Sequence, residues 1–331
     1  MKYRPLGDTG LRVSEIGFGT WGLGGDRDGT VAYGPASDET SRSALRAACD
    51  AGVNFFDTAE LYGSGHSEQL LGEVFSSRRV SVVIATKGGF RDDGKQDFST
   101  AHLRYALEAS LRRLRSNYVD LYQLHSPAIA TLREQPEIIE LMAEWRDAGK
   151  IRAWGLSARS PEEARQAIEE FDAPCVQFNF NLTDQRAVTD GLLELCQKRR
   201  VGVVVRTPLC FGFLTGKYDS DSSFAATDHR RRWPAEQRQR WREANDVFQF
   251  LFAANPSDTP AQLALRFCLS FPAVSTAVPG MLTDAHVREN TAASDSGPLP
   301  AEQLQQAVKL STTTDFFIRR VSPTTGDARS P

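Results

Sequence analysis

Four polar residues stand at the ends of three short apolar runs. Asp57 follows VNFF, Lys87 follows VVIAT and His125 follows VDLYQL; Tyr62 lies five residues beyond Asp57, in DTAELYG. A carboxylate, an ammonium, a phenol and an imidazole together make a proton-delivery device. A phenol with its ordinary pKa of about 10 is a poor acid at neutral pH. A nearby ammonium stabilises the phenolate and lowers that pKa, and a carboxylate keeps the lysine charged and oriented. Singly, each residue has a bland reading: Asp57 as a helix cap, Tyr62 as a packing ring, Lys87 as a solvated charge, His125 as a turn histidine. Four such residues at neighbouring strand ends are a much rarer coincidence than one. Lysine is also scarce here, seven of 39 basic residues, which sharpens the interest of Lys87.

For these groups to meet, the elements that carry them must converge. An opening hairpin turns at residues 7–10. Apolar runs then recur as expected strands at 16–19, 53–56, 80–85, 118–121, 151–155, 175–177, 201–205 and 274–278. Helical patterns alternate with them, at 38–51, 67–75 (with Ser67 as N-cap), 99–115, 137–148, from Ser160-Pro161, at 192–198, 259–269 and 283–290. A further packing helix spans 301–310. Most of the strands are apolar on both faces, as in a parallel sheet covered by helices. An eightfold count in about 300 residues points to an α/β fold of the (β/α)8 barrel type. The glycines of GFGTWG at 17–22 have dinucleotide-loop spacing, but no helix follows directly, so that fingerprint is rejected. Two long non-repeating segments, 21–37 and 207–240, follow strands and belong at the barrel's C-terminal mouth, where active sites lie.

The chain has 331 residues, 40 % hydrophobic and 24 % charged, with net charge −3. This composition excludes disordered, collagen-like and coiled-coil chains. It offers no global basic field for nucleic acid or an anionic membrane. Five scattered cysteines without a C-x-x-C pair argue against disulfides and zinc, and for a reducing cytoplasm. No signal-peptide core and no run of 18 apolar residues is present. The expected organisation is one domain over 1–315 and a disordered tail over 316–331.

DTAELYG, the lysine of ATKGG and the histidine of YQLHSP resemble the catalytic motifs of the aldo-keto reductases. The resemblance extends from about residue 3 to about 311, through GFGTWGLGG, GLS at 155–157, VQFNFN at 176–181, RTPLCFGFLTGKY at 206–218 and VPGMLTDAHVREN at 278–290. It implies a (β/α)8 barrel that binds NADPH (NADH being the other possibility) and reduces an aldehyde or ketone to an alcohol. Carried over by motif, Tyr62 is the general acid, Lys87 paired with Asp57 depresses its pKa, and His125 orients the carbonyl. Gly19, Thr20 and Trp21 fall beside the nicotinamide. Ser157 and Gln177 resemble the carboxamide contacts. Arg206 stands where many members stack an aromatic, as in one bacterial branch, followed by Thr207. Pro208, Leu209, Gly212 and Lys217 resemble the loop over the pyrophosphate; Gly280, Leu282, His286, Glu289 and Asn290 resemble the adenosine end.

Three departures stand out. Ala158 replaces an expected asparagine. Gly280, Met281 and Leu282 carry no charge where a 2′-phosphate is often held, and His286 replaces a Gln or Arg. Arg288 or the run Arg230-Arg231-Arg232 could supply charge instead, the run otherwise reading as a solvated face. The mouth would place Trp21, Tyr33, Tyr62, His125 and Phe211 around a small-molecule carbonyl substrate, with Phe213, Phe224 and Trp233 supplying more of the same wall. Sparse lysine with abundant Arg and Ala suggests a GC-rich bacterial genome, and with it a ketoreductase of secondary-metabolite or sugar biosynthesis. A cofactor-binding regulatory subunit with little turnover, or a dehydrogenase working in the oxidative direction, are the other readings. The sequence carries no signal for an oligomeric state.

Overall fold

A computed structural model describes residues 1–25, 32–219 and 221–318. Its frame is eight parallel strands: β3 (Phe18–Gly19), β4 (Phe55–Asp57), β5 (Val83–Gly88), β6 (Val119–His125), β7 (Ile151–Ser157), β8 (Cys175–Asn179), β9 (Gly202–Arg206) and β10 (Thr276–Val278). They pair in chain order from β3 to β10. Parallel bridges from Ile16 to Ala277 and from Gly19 to Gly280 join the last strand back to the first. The sheet is thus the expected (β/α)8 barrel.

Before it comes an antiparallel hairpin, β1 (Tyr3–Pro5) and β2 (Arg12–Ser14), with Tyr3 opposite Ser14. Its Leu6, Leu11 and Val13 are buried and share a cluster with Phe55, Val83, Leu121 and Val204 from inside the barrel. The hairpin is therefore a plug across the N-terminal end. Gly7 lets it sit close: at φ +54° its absent Cβ would lie 2.3 Å from the Gly202 nitrogen. A larger apolar layer, from Ile16 to Phe316, fills the space between strands and helices.

Helix starts follow their caps. Ser160 accepts from Glu163 before the helix Pro161–Phe171, and Thr259 and Gln262 form a reciprocal box before Pro260–Leu269; such caps satisfy N–H groups that the helix itself leaves free. Three expectations shift. The third strand is not 80–85 but β5: Val80 is 88 % exposed in the short turn Ser76–Ser81, and Val83 is set opposite Phe55 by the barrel register. The helix expected at 67 begins at His66, behind a left-handed Gly65, because the Ser67 hydroxyl is used elsewhere. The described part of the mouth segment 207–240 carries two 3-10 turns and leads into the helix Ala235–Val247, anchored by the buried Trp241. At the C-terminus Phe316 is buried and its carbonyl accepts from Gln237 at 2.8 Å, so the chain is packed past the expected boundary at 315. The expected tail from 319 onward lies outside the described residues.

Candidate active site

Asp57 is the last residue of β4, Lys87 the penultimate residue of β5 and His125 the last residue of β6. They belong to the strands rather than following them, so the barrel fixes where they point; only Tyr62 stands on a loop. The Lys87 ammonium donates to Asp57 Oδ2 at 2.7 Å, to the Thr58 carbonyl at 2.8 Å and to Tyr62 Oη at 3.2 Å. Lys87 is fully buried. Burial alone would discharge it, yet the Asp57 carboxylate and the Tyr62 oxygen hold it above the ordinary lysine value. The Tyr62 ring stands edge-on to His125, centroids 6.1 Å apart. Burial first, then the charges of Lys87 and Arg206, push His125 well below the ordinary imidazole value. The shift favours the neutral ring, whose Nδ1 is buried and without a protein partner.

The second carboxylate oxygen of Asp57 accepts from Gln177 Nε2 at 2.7 Å and from Gln123 Nε2 at 3.3 Å, and Ser157 donates to Gln177 Oε1 at 3.3 Å. Ser157 and Gln177 therefore lie beneath the cavity, tied to Asp57 and outside its lining. Gln123 was not anticipated, although an amide two residues before His125 in an otherwise buried strand was a signal. Thr20 donates to the Asp57 carbonyl and accepts from Ser67 Oγ at 2.6 Å. That bond, with the 2.9 Å contact of Ser67 to Thr58, replaces the expected capping role of Ser67.

Above this network opens a cavity of about 430 Å³. One wall holds Gly19, Thr20, Trp21 and Tyr33; the floor at one end holds Asp57, Tyr62 and His125. Arg206, Thr207, Pro208, Leu209, Phe211, Gly212 and Lys217 line it further, with Gly280, Leu282, His286, Glu289 and Asn290 completing the lining. The expected cofactor and substrate residues, apart from Ser157, Gln177 and the deeply buried Lys87, line this one space. Leu61, Thr215, Tyr218, Ala261 and Pro279 join them unannounced. The 207–218 strap is sharply turned, with Thr207, Cys210 and Phe211 left-handed at φ 53°, 46° and 57°; such conformations cost energy in non-glycine residues and collect at ligand clamps. Lys217 reaches Glu289 at 3.0 Å.

Phe213, Phe224 and Trp233 do not line the cavity; they pack behind Phe211 against Trp241, Tyr218 and one another. Arg230 departs from the solvated-face reading: it is 8 % exposed, forks onto Asp228 at 2.5 Å and touches the rings of Tyr33, Tyr218 and Phe224. Arg231 and Arg232 are exposed. His229, unmarked in the sequence, closes an aromatic corner 4.5 Å from Trp21 and 4.7 Å from Tyr33; burial holds it at about 4. The part of the first mouth segment at 26–31 lies outside the described residues.

Among the described residues no group of three or more His, Cys, Asp and Glu could hold a metal ion, and no helix is long and apolar enough to cross a membrane.

The model of the aldo/keto reductase family matches residues 15–312. An aldo-keto reductase of Bacillus subtilis, YhdN, is 33 % identical over 294 residues, 85 % of this chain and 85 % of its own. A probable voltage-gated potassium channel subunit beta of Arabidopsis thaliana is 33 % identical over 90 % of this chain and 93 % of its own. Among solved structures, the holo form of the aldo-keto reductase AKR11C1 from Bacillus halodurans superposes with a TM-score of 0.77. It is 28 % identical, over 94 % of this chain and 96 % of that one.

Proposed function

The chain belongs to the aldo/keto reductase family, and from that membership and the cavity geometry we propose that it is an oxidoreductase that reduces an aldehyde or ketone to an alcohol with a nicotinamide dinucleotide, Tyr62 being the general acid. One observation carries the reading. A phenol facing a cavity lies 3.2 Å from a fully buried ammonium, which is paired at 2.7 Å with a carboxylate.

The cavity fits such a cofactor. Two buried nitrogens at its catalytic end, His125 Nδ1 and Arg206 Nε, have no protein partner. Gly280, bridged to Gly19, leaves open space, where a Cβ would meet nothing nearer than the Tyr33 ring at 4.0 Å. Gly19, Trp21 and Arg206 would hold the nicotinamide side, the strap from Thr207 to Lys217 the pyrophosphate, and Leu282, His286, Glu289 and Asn290 the adenosine. When bound in its reduced form, the dinucleotide supplies the hydride.

As negative charge builds on the carbonyl oxygen, Tyr62 gives it a proton. The ammonium of Lys87 stabilises the phenolate left behind, and Asp57 keeps that ammonium charged. A neutral His125 has one N–H to donate and orients the same oxygen. Donors fixed before the reaction stabilise the developing charge more than the ground state. Gln123, Gln177 and Ser157 hold Asp57, acting through it rather than on substrate.

The distinguishing experiment follows reduced-cofactor absorbance over a panel of aldehydes, ketones and sugars. The Tyr62→Phe variant is expected to bind cofactor as the wild type does and to lose roughly 10²–10⁴-fold in turnover. Turnover preserved in that variant would remove Tyr62 from its role. No turnover by the wild type in either direction would favour the regulatory-subunit reading, which the resemblance to the channel subunit supports. Turnover only on alcohols would favour an oxidative role. A place in secondary-metabolite or sugar biosynthesis rests on composition alone and calls for sugars and aryl ketones on the panel.

A further inference from the structure

Glu60 sits between Asp57 and Tyr62 and touches neither. Its Oε1 accepts the backbone N–H groups of both Gly89, at 2.7 Å, and Phe90, at 2.8 Å. Its own N–H donates to the Lys87 carbonyl at 3.1 Å. Three hydrogen bonds thus fasten the loop that carries Tyr62 to the segment that leaves β5 just after Lys87. The Phe90 ring, placed by that fastening, lies edge-on to His125 with centroids 4.9 Å apart. Through Glu60, the loop of Tyr62, the strand of Lys87 and the ring of His125 share one connection.

We propose that Glu60 is a positioning residue, a clamp whose carboxylate sets the Tyr62 loop, the Lys87 strand end and the Phe90–His125 contact in their working geometry. The proposal rests on the reading of Tyr62, Lys87 and His125 as the reacting groups. Neighbouring residues explain why one side chain has this task. Residue 89 is a glycine at φ +121°, and a Cβ there would lie 2.1 Å from the Phe98 ring; at Gly88 a Cβ would strike the Tyr122 hydroxyl. The segment has no side chain of its own at 88 or 89 with which to hold itself, so its N–H groups are held from across the gap.

Burial pushes the Glu60 carboxyl up to about 7, with Glu68 adding to the rise and the two N–H groups and Arg113 opposing it. The charged groups around it are Glu68 and Arg113, joined to each other at 2.6 Å, together with Lys87, the Tyr122 hydroxyl and, on the Phe90 side, Asp97 and His102, whose ring nitrogen bonds the Phe90 carbonyl at 3.1 Å. A carboxylate accepts more strongly than its protonated form, so the clamp tightens as pH rises through neutrality. The cavity histidines His125 and His286 and the adjacent His229 are all held below the ordinary value.

The test combines turnover with backbone amide NMR of glycine- and phenylalanine-labelled protein. In the wild type the Gly89 and Phe90 amide shifts move with a midpoint near pH 7, and kcat rises through the same midpoint. Glu60→Gln keeps a neutral acceptor oxygen and cannot ionise: its kcat is independent of pH across this range and lies at the lower, acid-side level of the wild type, while both the amide titration and the kcat limb vanish. Glu60→Ala loses at least tenfold in kcat with cofactor affinity unchanged. His102→Gln, the control, keeps the limb. Amide shifts that do not titrate, a limb that survives in Glu60→Gln, or full kcat in a folded Glu60→Ala would each overturn the proposal. The amide titration reads the clamp even when no carbonyl turns over, which keeps its failure distinct from a failure of the Tyr62 assignment.

Discussion

The buried pair of Lys87 and Asp57 links chemistry to stability. Removing one partner from a buried pair costs about 3–5 kcal/mol, because the other charge is left uncompensated. Lys87→Met strands Asp57, which is 4 % exposed and whose remaining side-chain contacts are to two amides. Melting of that variant is therefore expected well below the wild type, with turnover abolished. The double variant Asp57→Asn, Lys87→Met recovers most of the stability and none of the turnover. Recovered turnover in the double variant would assign the pair to the fold alone. At this scale the sequence was informative: Asp57, Lys87 and His125 were legible because each is polar at the end of an apolar run, and Tyr62 because it follows Asp57 by five residues in the same loop. Gln123 and Glu60 were harder to see. Their roles depend on partners 66 and 29–30 positions away, and no local pattern encodes such a distance.

Elements were legible where a local signal decides them. Proline after a Ser or Thr cap marked Pro161–Phe171 and Pro260–Leu269, and a purely apolar run marked β9. They were misplaced where the sheet decides. β5 was expected to end at Ala85, but its pairing with β6 runs on through Lys87 to Gly88, so Lys87 is held by ladder hydrogen bonds rather than by a loop. Sites on such rigid elements are held more closely than sites on loops. The helix Ala235–Val247 was hidden because its sequence is mostly charged or amide; Trp241 and Ala244, with the partly buried Val247, anchor it in the apolar layer. The strap before it owes its shape to the rings of Phe211, Phe213 and Trp241, which stack behind the cavity, a cluster visible only once the chain is folded.

Across the whole molecule, charge bears on the cofactor. The net charge is −3, so an anionic dinucleotide depends on local cations. Lys217 is paired with Glu289 and Arg230 with Asp228. Burial, and then Lys217, push His286 below the ordinary imidazole value, against the pull of Glu289. Among the described residues, the cavity cation with no carboxylate partner is Arg206, whose electrostatic neighbours are Tyr62 and Asp57. Strong phosphate recognition uses arginine or lysine in charge-assisted bonds, and among the described residues that line the cavity none but Arg206 is unpaired, the exposed Arg288 standing outside the lining. This distribution argues against a strong preference for the phosphorylated cofactor, despite what family resemblance suggests. Dissociation constants for NADPH and NADH, measured by fluorescence titration at equal ionic strength, are expected to agree within about tenfold, or roughly 1.4 kcal/mol. A preference for NADPH above a hundredfold would require a cation that this arrangement does not provide.

Proton delivery by Tyr62 is tested most directly by a crystal structure of the protein with oxidised cofactor and a carbonyl compound that cannot accept a hydride. The expected result is a carbonyl oxygen within about 3 Å of Tyr62 Oη, with the His125 ring as its second neighbour and Lys87 still bonded to Tyr62 from below. A carbonyl oxygen turned away from Tyr62 toward another donor, or a nicotinamide bound outside the cavity floored by Asp57, Tyr62 and His125, would contradict it.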